Sequence, residues 1–130
     1  MAYASTVTRT RARVAGKVYH KIVVAETGVT LATNEYTLTG LPLRGTVVEH
    51  RCVLATGGAG ITATVVDPEL GAATTTKELF ENGTAAATTT NLNLSKGFNG
   101  PTLYGRSGSD GNIGSTGTIT TTITIMEGSL

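Results

Sequence analysis

Apolar and polar residues alternate with a period of two along much of the chain, and Gly, Pro and Asn interrupt the alternation at short intervals. That is the pattern of short strands joined by turns. The stretch 6–14 sets Val7, Arg9, Arg11 and Arg13 on one face and Thr8, Thr10, Ala12 and Val14 on the other. The stretch 17–25 sets Val18, His20, Ile22 and Val24 against Lys17, Tyr19, Lys21 and Val23, and the two are expected to close as a hairpin through Ala15 and Gly16. A short strand over 35–39 points Tyr36 and Leu38 inward. The stretch 46–55 places Val48, His50, Cys52 and Leu54 on one face, and the glycines at 57, 58 and 60 turn it back into 61–66 as a second hairpin.

Asp67-Pro68 is expected to end that strand. Thr75 and Glu78 then have capping-box spacing, and Gly83 suits a left-handed C-terminal position, so a short helix is predicted near 76–82, with Leu79 and Phe80 covering a sheet edge. Leu92 and Leu94 alternate with Asn91 and Asn93 as a short strand, 97–101 is a turn, and 102–106 is a strand with Leu103 on one face. The Gly-, Ser- and Asn-rich stretch 107–117 is expected to be an exposed loop facing outward. The strongest alternation comes last: over 118–126, Ile119, Thr121, Ile123 and Ile125 oppose Thr118, Thr120, Thr122 and Thr124, like an edge ready to pair. Seven to nine strands and one short helix predict an all-β fold, an antiparallel β-sandwich with the jelly roll as one form of it. It is expected to be a single domain over 1–130 with a basic N-terminal arm over 1–14.

Composition sharpens this picture. The 26 threonines and 17 glycines make a third of the 130 residues, which favours pleated strands and tight turns. Leu, Ile, Val and Phe supply only 30 residues, so the core is thin, although a chain of this mass buries about two thirds of its surface. A thin core with few charges suits a subunit that packs against neighbours. The net charge of +1 argues against nucleic acid as a partner. No apolar run reaches the roughly 18 residues of a membrane span, and no signal peptide is recognisable, so no membrane partner is expected.

Candidate chemistry is sparse. His50 and Cys52 share a strand face and could pair, but no further ligand or companion acid accompanies them, and a small Cys beside a strand His is an ordinary core feature. The loop around Gly108 to Gly114 leads into a strand and holds no lysine, so it is neither a phosphate loop nor, with one Asp and one Asn, a calcium site. The acidic pairs Asp67 and Glu69, and Glu78 and Glu81, fall in no catalytic motif. The chain is therefore read as a non-enzyme without cofactor or metal. The candidate partner-binding residues are Arg9, Arg11 and Arg13, whose two-residue spacing aims all three guanidinium groups to one side of a strand, where they could grip phosphates, an acidic protein surface or a partner subunit; a simple solvated strand face is the plainer reading.

Three segments, MAYASTVTRTRARV, YTLTGLPLRGTVV and LYGRSGSDGNIGSTGTITTTITIMEG, resemble the small virion structural proteins of tailed bacteriophages. The resemblance implies a β-sandwich or jelly-roll subunit that forms a homo-oligomer, a trimer or ring, on other virion proteins, the major capsid protein foremost. It implies a virion location after assembly in the bacterial cytoplasm, and a role in decorating or cementing the head. A neck or tail component is the alternative within that class, and a carbohydrate-binding β-sandwich module the alternative outside it. No catalytic residues come with the family.

Overall fold

The computed structural model describes residues 4–27, 36–63, 65–71, 80–81, 85–86, 89–109 and 111–128. They form two sheets in which every pairing is antiparallel. The strands are β1 (Ala4–Val14), β2 (Lys17–Thr27), β3 (Tyr36–Leu38), β4 (Arg44–Ala55), β5 (Val65–Gly71), β6 (Phe80–Glu81), β7 (Ala85–Ala86), β8 (Thr89–Asn99), β9 (Leu103–Ser109) and β10 (Thr118–Glu127). The first sheet runs β1-β2-β10-β4-β8 and the second β3-β9-β5-β6, with β7 also on β5.

The pairings are nested about the middle of the chain. Strand β2 pairs β10, β3 pairs β9, β4 pairs β8, and β5 pairs β6 and β7, while β10·β4 and β9·β5 join these pairs side by side. The β1–β2 hairpin lies outside the nest, closing through Ala15 and Gly16 as expected. Both residues have positive φ, at 51° and 80°, which matches the right-handed twist of a two-residue hairpin turn.

Alternation in β10 behaves as its sequence predicts: Ile119, Thr121, Ile123 and Ile125 are buried, and the intervening threonines are half-exposed. Yet β10 is no edge. It sits between β2 and β4, because both of its backbone edges are paired. In β3, Tyr36 and Leu38 are buried, as expected. The larger core cluster joins Ile22, Val24, Val47, Ile123 and Ile125 of the first sheet to Tyr36, Leu38, Leu70 and Leu103 of the second, with Leu41 beside them. A smaller one gathers Cys52, Leu54, Ala63, Ile113 and Ile119. The exposed area, 6463 Å², is close to the roughly 6,400 Å² expected of a compact monomer of this mass, so the thin core still closes.

Several expectations are corrected. The predicted helix near 76–82 does not stand, because Phe80–Glu81 is a strand on β5 and no helix occurs among the described residues; its capping positions 75, 78 and 83 lie outside them. Residues 46–55 and 61–66 form no hairpin: β4 pairs β10 and β8, and 61–63 is loop. Pro68 does not end β5 but lies within it. Asp67 and Pro68 fall between the residues that pair β7 and those that pair β6, so on that side the missing N–H of Pro68 is not needed. In β4 the register shifts between Val47 and Glu49, which turns Val47 inward in place of Val48.

The 107–117 loop is also corrected. Its start belongs to β9, and residues 111–117 are docked, with Gly111, Ile113, Gly114 and Gly117 buried. Ile113 is fully buried, and residues 111–117 are zipped onto 57–63. Thr62 and Ala63 N–H donate to the Asn112 carbonyl at 2.8 and 2.9 Å, Gly57 N–H to Ile113 at 3.2 Å, and Thr116 N–H to Gly57 at 3.1 Å. Two glycine-rich loops thus satisfy one another's backbone groups and close one end of the structure.

Candidate functional site

The eleven residues of β1 are all exposed, although β1 is hydrogen-bonded to β2 along its whole length. The second sheet, whose β3 is only three residues long, does not cover it. Residues directly opposite in an antiparallel pair share a face. Arg9 faces Ile22, Arg11 faces His20, and Arg13 faces Val18, so the three arginines lie on the side of the sheet that carries the core, beyond the point where the core ends. The segment expected as an N-terminal arm is thus, over Ala4–Val14, the outermost strand of the first sheet; residues 1–3 lie outside the described residues.

The arginines divide by role. Arg9 folds back onto the connection after β3, where its guanidinium donates to the Thr39 carbonyl at 2.6 Å and the Gly40 carbonyl at 3.3 Å. Arg9 thereby ties β1 to the second sheet. Arg11 and Arg13 have no hydrogen bond or ion pair among the described residues, and with Ala12 and Val18 they line a shallow cleft of about 200 Å³. On the same face, His20 Nε2 meets Glu127 Oε1 at 2.8 Å, so the neighbouring carboxylate is engaged by the histidine. Sequence spacing identifies the arginine row; the division between one anchored and two free guanidinium groups depends on the β3 connection, which no local pattern signals.

Inside the structure a polar diagonal crosses the first sheet. Glu26 on β2, Thr121 on β10, and Cys52 and His50 on β4 are each 0–1% exposed, and register sets Thr121 beside Cys52. Thr121 Oγ1 donates to Cys52 Sγ at 3.8 Å, and Ser107 of the second sheet donates through Oγ to Glu26 Oε1. Glu26 was not singled out from the sequence. Its place in the alternation, after Ile22 and Val24, is the signal that marks it as inward-facing.

His50 and Cys52 do share a face, but both are fully buried. Burial pushes the Cys52 thiol up from 9.0 to about 11, with the Thr121 hydrogen bond opposing and the Glu26 charge adding to the rise. A nucleophile or metal ligand needs the thiolate and access to solvent. Cys52 in the native protein is expected to resist maleimide at pH 7.5 and to label within minutes in denaturant; rapid native labelling would contradict its burial. Above pH 9 the unfolded chain releases that proton while the native chain holds it, so this group lowers stability as pH rises from 9 towards 11.

Among the described residues, no group of three or more His, Cys, Asp or Glu could hold a metal ion. Among the described residues, β1 presents two guanidinium groups and an outer backbone edge with no strand partner. No protein-family model matches the chain, and no curated protein is significantly similar to it.

Proposed function

We propose that the chain is a non-enzymatic virion structural protein, a decoration or cement subunit on the head of a tailed phage, folded as a jelly-roll β-sandwich. The nested order supports that fold. Leaving out β1 and β7, 2-10-4-8 beside 3-9-5-6 is the strand order produced when one long antiparallel hairpin rolls into two sheets, and the core cluster drawn from both sheets fits two facing layers. Jelly rolls serve capsids and lectins alike, so the surface must choose between them.

The single observation that carries the choice is β1, an edge strand of eleven exposed residues with its outer backbone unpaired among the described residues. Long exposed edges are a hazard to a protein that stays alone and an asset to one that docks. A sugar-binding module instead needs an exposed aromatic platform. Among the aromatic side chains that the structure describes, Tyr36 is buried and Tyr19 and Tyr104 are half-buried; Tyr3, Phe80 and Phe98 are not among them. The outward face of the first sheet supports assembly into a trimer or ring. Thr118, Thr120 and Thr122 lie beside Val23, Ala25 and Val53 there, and the charged Lys21, Glu49 and Arg51 gather towards one end, where Arg51 faces Thr122.

Electron microscopy of particles made with and without this chain tests the proposal. Loss of regularly placed density on the head, with heads that burst at lower temperature, is the expected result. Heads of unchanged structure and stability with an altered neck or tail would overturn the head assignment.

A further inference from the structure

The geometry points to β1 as the receptor for an acidic extended segment of a different protein, which adds to the sheet as a sixth strand and places carboxylates on Arg11 and Arg13. The inference rests on the assembly reading in taking β1 as a docking strand, and it names the chemistry of what docks.

The backbone comes first. Among the described residues β1 pairs only with β2, so the N–H and C=O groups along its outer edge have no strand partner. An added strand would lie about 4.8 Å away, with its alternate side chains about 5 Å from those of β1 on the same face. Arg11 and Arg13 are spaced for two such positions, and Arg9, tied to the Thr39 and Gly40 carbonyls, holds the strand in place without competing for the ligand.

The cleft sets the size of the group bound. At about 200 Å³ it is smaller than the roughly 300 Å³ at which small-molecule pockets begin, so it suits a side-chain carboxylate rather than a whole metabolite. Guanidinium groups recognise carboxylates through paired, charge-assisted hydrogen bonds. Acids at alternate positions of an extended segment would meet both.

A second copy of this chain does not supply that segment. β1 itself contains no Asp or Glu, so pairing β1 with β1 brings no carboxylate to Arg11 or Arg13 in any register. The one pair of acids in the chain at two-residue spacing, Asp67 and Glu69, lies in β5, which is already paired with β9 on one side and with β6 and β7 on the other. The other edge strand of the first sheet, β8, contains no acid, so the described residues offer no free strand with acids at alternate positions and the complementary segment is assigned to another protein.

The test uses the full chain and labelled nonapeptides in fluorescence anisotropy at low salt. Probes are a peptide alternating Glu and Thr, its Gln counterpart, an isomer with the glutamates contiguous, the alternating peptide with every second amide N-methylated, and a twelve-residue oligothymidylate. The alternating acidic peptide is expected to bind, the other four at least about tenfold more weakly, and R11Q/R13Q to weaken its binding about tenfold or more. Since both arginines are exposed, the variant's circular dichroism is expected to match the parent's. Absence of binding at millimolar peptide, equal binding of the contiguous isomer or of the oligonucleotide, or indifference to R11Q/R13Q would each overturn the inference. Localisation of the chain on particles is read separately, so failure here would leave the head assignment standing.

Discussion

Gly114→Ala is expected to destabilise the protein by about 3 kcal/mol or more, a fall in Tm on the order of 10 °C. Two physical causes combine. Gly114 has φ at +97°, where an L side chain is strained, and a Cβ there would overlap the Gly57 carbonyl oxygen and press on Ile61. The Gly57 carbonyl does not yield cheaply, because Gly57 and the 111–117 loop are held by reciprocal backbone bonds. Gly16→Ala separates the causes: φ is +80° but nothing lies within 4 Å, so only the conformational cost of about 1 kcal/mol applies. Thermal and urea denaturation of both variants measures the difference. Equal losses would mean that the two loops are not in close apposition.

Ile123→Ala and Leu103→Ala are each expected to cost about 2–5 kcal/mol. Both side chains are fully buried, and truncation removes methyl groups from water-free contacts and leaves a cavity. Thr122→Ala, one residue away on the half-exposed face, is expected to stay within about 0.5 kcal/mol. Ile123 comes from the first sheet and Leu103 from the second, and they belong to one cluster. Their effects should therefore be non-additive by at least about 0.5 kcal/mol in a double-mutant cycle. Strict additivity would speak against facing sheets with a shared core.

Strand positions were largely legible because period two is a local property. The Ile–Thr alternation of β10, the inward Tyr36 and Leu38 of β3, and the Ala15–Gly16 hairpin all needed only neighbouring residues. Partnership was not legible in the same way. A central strand and an edge strand with one solvated face carry the same alternation, and what distinguishes them is whether the backbone edges are paired, which side chains do not record. Hence β10 read as an edge when it is central. The helix expectation failed because a capping box describes a local option, whereas Phe80 is committed to a ladder with Leu70. In the 111–117 loop, turn-forming composition masked Ile113, the one apolar residue whose burial anchors it.

The candidate site followed the same division. The arginine spacing was legible, and so was the common face of His50 and Cys52. That β1 overhangs the core, and that Arg9 is spent on the β3 connection, depends on the length of β3 and on where the chain goes after it. These are long-range facts with no periodic signature.

The nested pairing also governs when this chain can fold during its synthesis. Thr27 of β2 waits for Thr118 of β10, and β4 has its inner neighbour only once β10 exists. On a ribosome adding roughly 5–20 residues per second, the β1–β2 hairpin can close early, but the centre of the first sheet stays open until residue 127 has been made. A chain cut short before β10 would lose the strand that bridges β2 and β4, and with it the first sheet as a whole rather than one edge of it.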